Sequence, residues 1–374
     1  MTPKIPVRVI VINLALFAGF LAIGDLLLTH WKPPPANPEK EFQISDPLYS
    51  HSLRPSYSTD VAVWGNARFP VRTNSLGFRD GSVRTVSRKT DKARRMVLIG
   101  DSFTEGIGLA WEDTFVGMFA RRAASFEVLN AGVLSYGPSV YFRKTAWLLD
   151  SGYTFDELVV YIDVSDIQDE AVVYHEDASG AIVYDGYGID YLATVADPTW
   201  RLPAPAAGPD APRGPKEWLR SHLAYSNLLY SLVKAKIHNQ REPPKKLLRS
   251  YWTVDPNIPG YGELGVEGGI RKAMSYMDRL RALLAERGIA LSVAVYPWPD
   301  QLEFDGENSR QVTIWRDWCQ RSGCAHFIDH FPDFFTYKRE HPDWRQRLFI
   351  PGDVHHSRAA SELIAQRLAS TYGL

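Results

Sequence analysis

In a β-strand successive side chains point to opposite faces, so a strand that is apolar throughout has to be covered on both sides. Leu158-Val159-Val160-Tyr161-Ile162 meets that condition, and so does Met96-Val97-Leu98-Ile99, which Gly100 breaks. Segments of helical spacing separate such runs. From residue 96 the chain reads as strand 96–99, helix 115–124, strand 126–129, helix 140–151 and strand 158–162. After an interruption it resumes as helix 268–287, strand 290–296, helix 312–320, strand 326–328 and helix 357–369. Alternation of this kind, with right-handed crossovers, predicts an α/β domain whose mainly parallel sheet carries helices on both faces.

The interruption, about 170–265, is expected to be an insertion over the carboxyl edge of the sheet. It holds a hairpin-like stretch around Ala178-Ser179-Gly180, a loop rich in Pro, Ala and Gly at 196–215, and a helix at 218–238. Upstream, residues 46–95 read as a small β-rich lead-in, and 33–45 as a linker opened by the stiff Pro33-Pro34-Pro35-Ala36-Asn37-Pro38. Residues 9–28 are almost continuously apolar, interrupted by Asn13 and Asp25. Twenty residues at 1.5 Å rise cover about 30 Å, the thickness of a bilayer core. Lys4 and Arg8 precede the run and His30, Trp31 and Lys32 follow it, which places the N-terminus in the cytoplasm and the main domain outside it. We therefore expect residues 1–32 to be an uncleaved signal anchor, with a cleaved signal peptide as the rival, and residues 96–374 to be an exported, periplasmic-side domain.

A formal net charge of −1 gives no electrostatic footprint for a nucleic acid. The 11 Trp suit a carbohydrate-facing surface and a large core equally, so they decide nothing. Two cysteines, Cys319 and Cys324, are too few for a thiolate zinc set. In an oxidising compartment they suit a short-loop disulfide, and in a reducing one two buried thiols.

Chemistry concentrates in two places. Gly100-Asp101-Ser102 sits at the carboxyl end of the first core strand, where open α/β sheets place their ligands. A hydroxyl there lies beside helix-start N–H groups able to stabilise an oxyanion, although a Ser at such a turn also serves as a plain cap. Far downstream, Gly352-Asp353-Val354-His355-His356-Ser357 puts a carboxylate and two imidazoles on one loop before the last helix. Asp two or three residues before His can hold one ring tautomer, so the pair supplies the base and orienting acid that a serine nucleophile needs. Two adjacent histidines also suit caps or metal ligands, and a metalloenzyme centred on His355 and His356 is a distant alternative.

Together these blocks resemble the SGNH (GDSL-type) hydrolase superfamily, whose three-layer, flavodoxin-like α/β/α fold the chain would share. The resemblance spans most of 46–170 and 268–370, not the insertion. It implies Ser102 as nucleophile, with its N–H in the oxyanion hole. Asn130-Ala131-Gly132 matches the second block, which implies the Gly132 N–H as a second donor. Asp353-Val354-His355-His356-Ser357 resembles the last block, which implies His355 as base and Asp353 as its partner. The other spacing known in the family would select His356. Asn74-Ser75-Leu76-Gly77-Phe78-Arg79 is similar to a lead-in segment of membrane-anchored members. The third block departs: where the family has Gly-x-Asn-Asp, this chain has Asp163-Val164-Ser165-Asp166, so Ser165 would be the third donor and Asp163 adds a charge.

The resemblance implies an exported, membrane-anchored serine esterase that removes O-acyl groups, from a cell-envelope or exported polysaccharide, without cofactor or metal. An O-acetyltransferase using the same acyl-enzyme, and a non-catalytic polysaccharide-binding or assembly subunit on a degenerate scaffold, are the alternatives.

Overall fold

A computed structural model describes residues 42–64, 67–184 and 247–374, together with Arg8 and residues 12–13, 16–17 and 19–24. The chain divides into two compact units, Met1–Asn37 with Asp197–Pro244, and Pro38–Ala196 with Lys245–Leu374. Everything below concerns the second unit unless stated.

Its centre is a five-stranded sheet. In chain order the described strands are β1 (Gln43–Asp46), β2 (Ser50–Leu53), β3 (Ser58–Trp64), β4 (Ala67–Arg72), β5 (Arg94–Ile99), β6 (Phe126–Asn130), β7 (Glu157–Tyr161), β8 (Tyr174–Glu176), β9 (Ile182–Tyr184), β10 (Ala290–Val295) and β11 (Phe327–Asp329). The sheet runs β11-β10-β7-β5-β6, every pair parallel. Each strand expected from its apolar run is present, with ends shifted by one or two residues, and β7 is buried at all five positions.

The helices are α1 (Ser102–Glu105), α2 (Phe115–Arg122), α3 (Pro138–Asp150), α4 (Asp166–Val172), α5 (Leu247–Ser250), α6 (Gly265–Ala285), α7 (Pro299–Phe304), α8 (Arg310–Ser322), α9 (Phe331–Glu340), α10 (Trp344–Leu348) and α11 (Arg358–Thr371). α3 and α4 pack against α6, while α2 packs against α11. That division follows from the connections: β5 feeds β6 on one side, whereas β7 feeds β10 and β11 on the other. With right-handed crossovers the two sets of helices fall on opposite faces. The neighbours β5 and β7 therefore send their chains in opposite directions, and the crevice at their carboxyl ends is the switch point where such sheets bind ligands.

The lead-in forms two antiparallel hairpins, β1-β2 and β3-β4. Arg79 continues it onto the main sheet through a bridge to Asn130 at the end of β6. Of the expected insertion, the hairpin at its start is β8-β9. The loop at 196–215 and the helix at 218–238 lie outside the described residues. The end of the segment packs into the core rather than over it. Trp252 is fully buried and donates to the Val164 carbonyl at 2.8 Å, and Arg249 meets both oxygens of Asp169 at 2.6 Å. Cys319 and Cys324 are joined in a disulfide at the end of α8.

Half of the apolar run at 9–28 and residues 33–41 of the expected linker lie outside the described residues. The linker's last residues are not a spacer but open β1 (Gln43–Asp46), and no described helix is long and apolar enough to cross a membrane. The described positions from 8 to 24 are helical, and Ile12, Leu16, Phe17, Phe20 and Ile23 are each more than half exposed.

His51 of β2 ties the lead-in to the main domain. Its Nε2 lies 2.7 Å from the Leu134 carbonyl, which can only accept, so Nε2 carries the proton and Nδ1 faces the Ser50 hydroxyl at 3.1 Å. Burial lowers the pKa of this ring to about 4. A folded-state pKa below the unfolded value means that the unfolded chain takes up the proton first as pH falls, so stability is lost between about 6.5 and about 4. Full protonation of the unfolded ring at pH 4 corresponds to roughly 3 kcal/mol. We expect the stability gap between wild type and His51→Gln, measured by denaturant unfolding from pH 7 to 4, to shrink by about that amount. A gap independent of pH would count against it.

Candidate active site

Strand β5 ends at Ile99, and Gly100 lets the chain turn where no side chain would fit. A Cβ there would lie 2.2 Å from the Thr104 hydroxyl oxygen and 2.9 Å from the Tyr161 carbonyl. Asp101 caps the short helix α1, its Oδ1 accepting the Phe103 N–H at 3.0 Å and the Tyr296 hydroxyl at 3.0 Å. Ser102 thus stands at the first helical position, at the switch point and 95% buried.

The loop between α10 and α11 comes to meet it. His355 Nε2 lies 2.8 Å from Ser102 Oγ, and His355 Nδ1 lies 2.8 Å from Asp353 Oδ1. A carboxylate can only accept, so Nδ1 carries the proton and Nε2 is left to accept from the serine hydroxyl. Ser357 caps α11, accepting the N–H groups of Ala359 and Ala360 at 3.1 and 3.4 Å, which fixes the register of the loop. Burial alone would raise the Asp353 carboxyl, but His355, the Trp64 indole and the Val354 N–H outweigh it and hold the group well below the usual carboxylate range. It is therefore ionised wherever the imidazole can act as a base.

His356, the alternative base, is turned away into a ring of aromatics: Phe103, Tyr296, Phe334 and Phe349, at centroid distances of 4.7 to 5.8 Å. Burial, with His355 beside it, pushes its pKa far below the ordinary value, so it stays neutral. Of the two spacings left open by the sequence, the structure adopts Asp-x-His.

The three expected oxyanion donors sit at the ends of β5, β6 and β7, but two of them are engaged. The Gly132 N–H donates to Asn130 Oδ1 at 3.0 Å, in an Asx turn, while Asn130 Nδ2 donates to the Thr104 carbonyl at 2.7 Å. The Ser165 hydroxyl donates to Asp163 Oδ1 at 2.6 Å, and its N–H donates to the same oxygen at 2.8 Å. Asp163, standing where the family pattern has Gly, thus takes the one proton that Ser165 could offer.

Asp101, Asp163 and Asp166 bring carboxylate oxygens within 4.8 Å of one another beneath Ser102. Donors already occupy most of them. Trp298 Nε1 meets Asp163 at 2.6 Å, and Asp166 accepts the Tyr141 hydroxyl at 2.9 Å and the Asp163 N–H at 3.2 Å. Only Asp166 Oδ1 lacks a hydrogen-bond partner. A cation would displace N–H and O–H groups that have no other acceptor at hand, so the donor pattern suits shared protons better than a metal. Burial, and for Asp101 and Asp166 repulsion from Asp163, raises all three pKa values.

Three further residues support this arrangement. The buried Arg79 guanidinium donates to the Glu105 carbonyl at 2.8 Å and to the carbonyls of Gly106 and Leu109, holding the chain just after α1. Buried Lys144 donates to the Ala131 carbonyl at 3.0 Å, the other end of the peptide that carries the Gly132 N–H. Glu105 Oε2 accepts the Leu134 N–H at 2.8 Å. Arg79 alone had a sequence cue, the segment 74–79.

No protein-family model matches the chain, and no curated protein matches it. Solved structures similar to it include an α/β hydrolase from the metagenome of Lake Arreo, Spain, with 12% identity, 76% of this chain and 97% of that one covered, and a TM-score of 0.40. An acetylxylan esterase from Geobacillus stearothermophilus is also similar, with 12% identity, coverage of 76% and 95%, and a TM-score of 0.39. So is a member of the lipolytic G-D-S-L family from Veillonella parvula, with 10% identity, coverage of 75% and 99%, and a TM-score of 0.39.

A Cβ on Gly132 would stand 2.7 Å from Thr104 Cβ and 2.9 Å from the Glu105 nitrogen. Relief of that contact has to displace α1, and Ser102 with it. Misplacement of a nucleophile by about 1 Å costs on the order of 10²-fold in rate. Gly132→Ala is therefore expected to label with a serine-directed fluorophosphonate about a hundredfold more slowly than wild type, with its far-ultraviolet circular dichroism unchanged. Labelling at the wild-type rate would show that the approach is not tight.

Proposed function

We propose that the chain is a serine esterase of the SGNH kind, and the observation that carries this is the continuous relay from Ser102 Oγ through His355 to Asp353, at 2.8 Å for each link. Ser102 Oγ attacks the acyl carbon of an ester while His355 Nε2 takes its proton. The tetrahedral oxyanion is held by the Ser102 N–H and by the Gly132 N–H, which shares its proton between Asn130 and the substrate. Lys144 on the far side of the Ala131–Gly132 peptide strengthens that donor by polarising the peptide. Collapse expels the alcohol, which carries away the proton from His355, and water activated by the same ring then releases the acid. Ser165 makes its hydroxyl available only by giving up Asp163. Loss of one oxyanion donor typically costs 10²–10³ in rate, so turnover is slow for this class.

The substrate class we infer is an O-acylated carbohydrate outside the cytoplasm. The apolar run at 9–28, with its exposed helical positions, supports a membrane anchor. The Cys319–Cys324 disulfide supports an oxidising compartment on the far side of it.

The test is to incubate the full chain with an aryl acetate and with an acetylated oligosaccharide, following free acetate. Ser102→Ala and His355→Ala are expected to abolish both hydrolysis and fluorophosphonate labelling, and Asp353→Asn to lower kcat by about 10⁴. Equal labelling of Ser102→Ala would remove the nucleophile from this scheme. Acetylated sugar formed in place of free acetate would turn the reading from hydrolysis to acyl transfer.

A further inference from the structure

The Asp-His-Ser relay is approached from outside the α/β domain by a residue of the lead-in. Trp64, the last residue of β3, donates its Nε1–H to Asp353 Oδ2 at 2.5 Å, across 289 positions of sequence. It thereby takes the carboxylate oxygen that His355 does not use. The same indole stands edge-on to the His355 ring at a centroid distance of 5.1 Å, and Phe103 flanks that ring at 4.7 Å.

The hairpin is shaped to bring it there. Thr59 pairs with Val71 and Ala62 with Phe69, so Asp60 and Val61 together oppose Pro70. Pro70 has no N–H to give to the ladder, and an extra residue opposite it forms a bulge. The bulge shifts the alternation by one: Val61 is 45% exposed and Ala62 is fully buried. Ala62 and Trp64 consequently share the inward face.

We infer that Trp64 is a positioning residue of the esterase site, fixing the Asp353 carboxylate so that Oδ1 is presented to His355 Nδ1. This rests on the proposed function, because it gives a task only to a relay that works. A carboxylate with one free oxygen can rotate between its two lone-pair edges, and the imidazole it holds swings with it. The Val354 and His355 N–H groups hold Oδ1 at 2.5 and 3.3 Å, and the indole donor completes that hold at the other oxygen and draws part of the charge toward Oδ2. Its loss leaves a more concentrated charge facing His355 and a carboxylate held from one side only.

Trp64→Phe keeps a ring of similar placement and deletes the donor. In the full chain we expect the second-order rate of fluorophosphonate labelling to fall about tenfold, the scale for one hydrogen bond to a charged group. The acid limb of its pH profile is expected to shift, and the low-field Nδ1 proton resonance of His355 with it. In an Asp353→Asn background the same substitution should cost little. A merely structural tryptophan would instead leave the acid limb and the proton resonance in place and cost the same in both backgrounds, which would overturn the inference while leaving the esterase reading intact. A wild-type chain that does not label at Ser102 would overturn both.

Discussion

The tightest constraint in the molecule is steric: the turn that carries Ser102 passes between the ends of three strands with no room for a side chain. Gly100 faces Thr104 and the end of β7, and Gly132 faces the backbone of α1. Hydrogen bonds then lock what the contacts permit. Asn130 takes the Thr104 carbonyl, Arg79 takes the carbonyls at the end of α1 and just beyond it, and Asp101 caps the start of the helix. A nucleophile on a four-residue helix has little intrinsic helical stability behind it. Its position is set almost wholly by these tertiary contacts.

The lead-in therefore belongs to the site. Its chain supplies Arg79 behind the nucleophile, His51 against the Leu134 carbonyl and Trp64 behind the base. Tyr49 and Phe78 also flank the Lys144 ammonium, whose pKa burial lowers to about 7, next to the Ala131–Gly132 peptide. Two hairpins of this size would not be stable alone. They are ordered by the α/β domain and in return fix three of the loops around Ser102 and His355.

What was legible in the sequence follows the range of the forces involved. Core strands were readable because burial on both faces keeps the body of a strand apolar, as at 158–161 of β7, although its first residue is the buried Glu157. The pairing of Ser102 with the Asp353–His355 loop was readable from residue type and spacing. The placement of His355 rather than His356 beside Ser102 depends on the tertiary fold, which surrounds His356 with aromatic rings. Helices α9 and α10 escaped notice because Phe331-Pro332-Asp333-Phe334-Phe335 has no clean amphipathic period. The support from Trp64, Lys144 and Trp298 was invisible for a different reason. Each acts through one atom on a residue distant in the chain, and no local pattern marks such a contact.

The altered third block shows how an isolated substitution can be misjudged. Ser in place of Asn at 165 reads as a shortened donor, and Asp in place of Gly at 163 as an added charge. In the structure the two changes are one arrangement. Asp163 accepts both the N–H and the hydroxyl of Ser165, and its other oxygen accepts the Trp298 indole. A buried carboxylate needs such donors, and Ser165 supplies two of them. The charge is thus accommodated at the expense of the oxyanion hole: the hydroxyl that could have stabilised a developing oxyanion stabilises a resident one instead. In the proposed mechanism the oxyanion accordingly rests on the donors at the ends of β5 and β6, the two strand ends that the lead-in braces through Arg79 and Asn130.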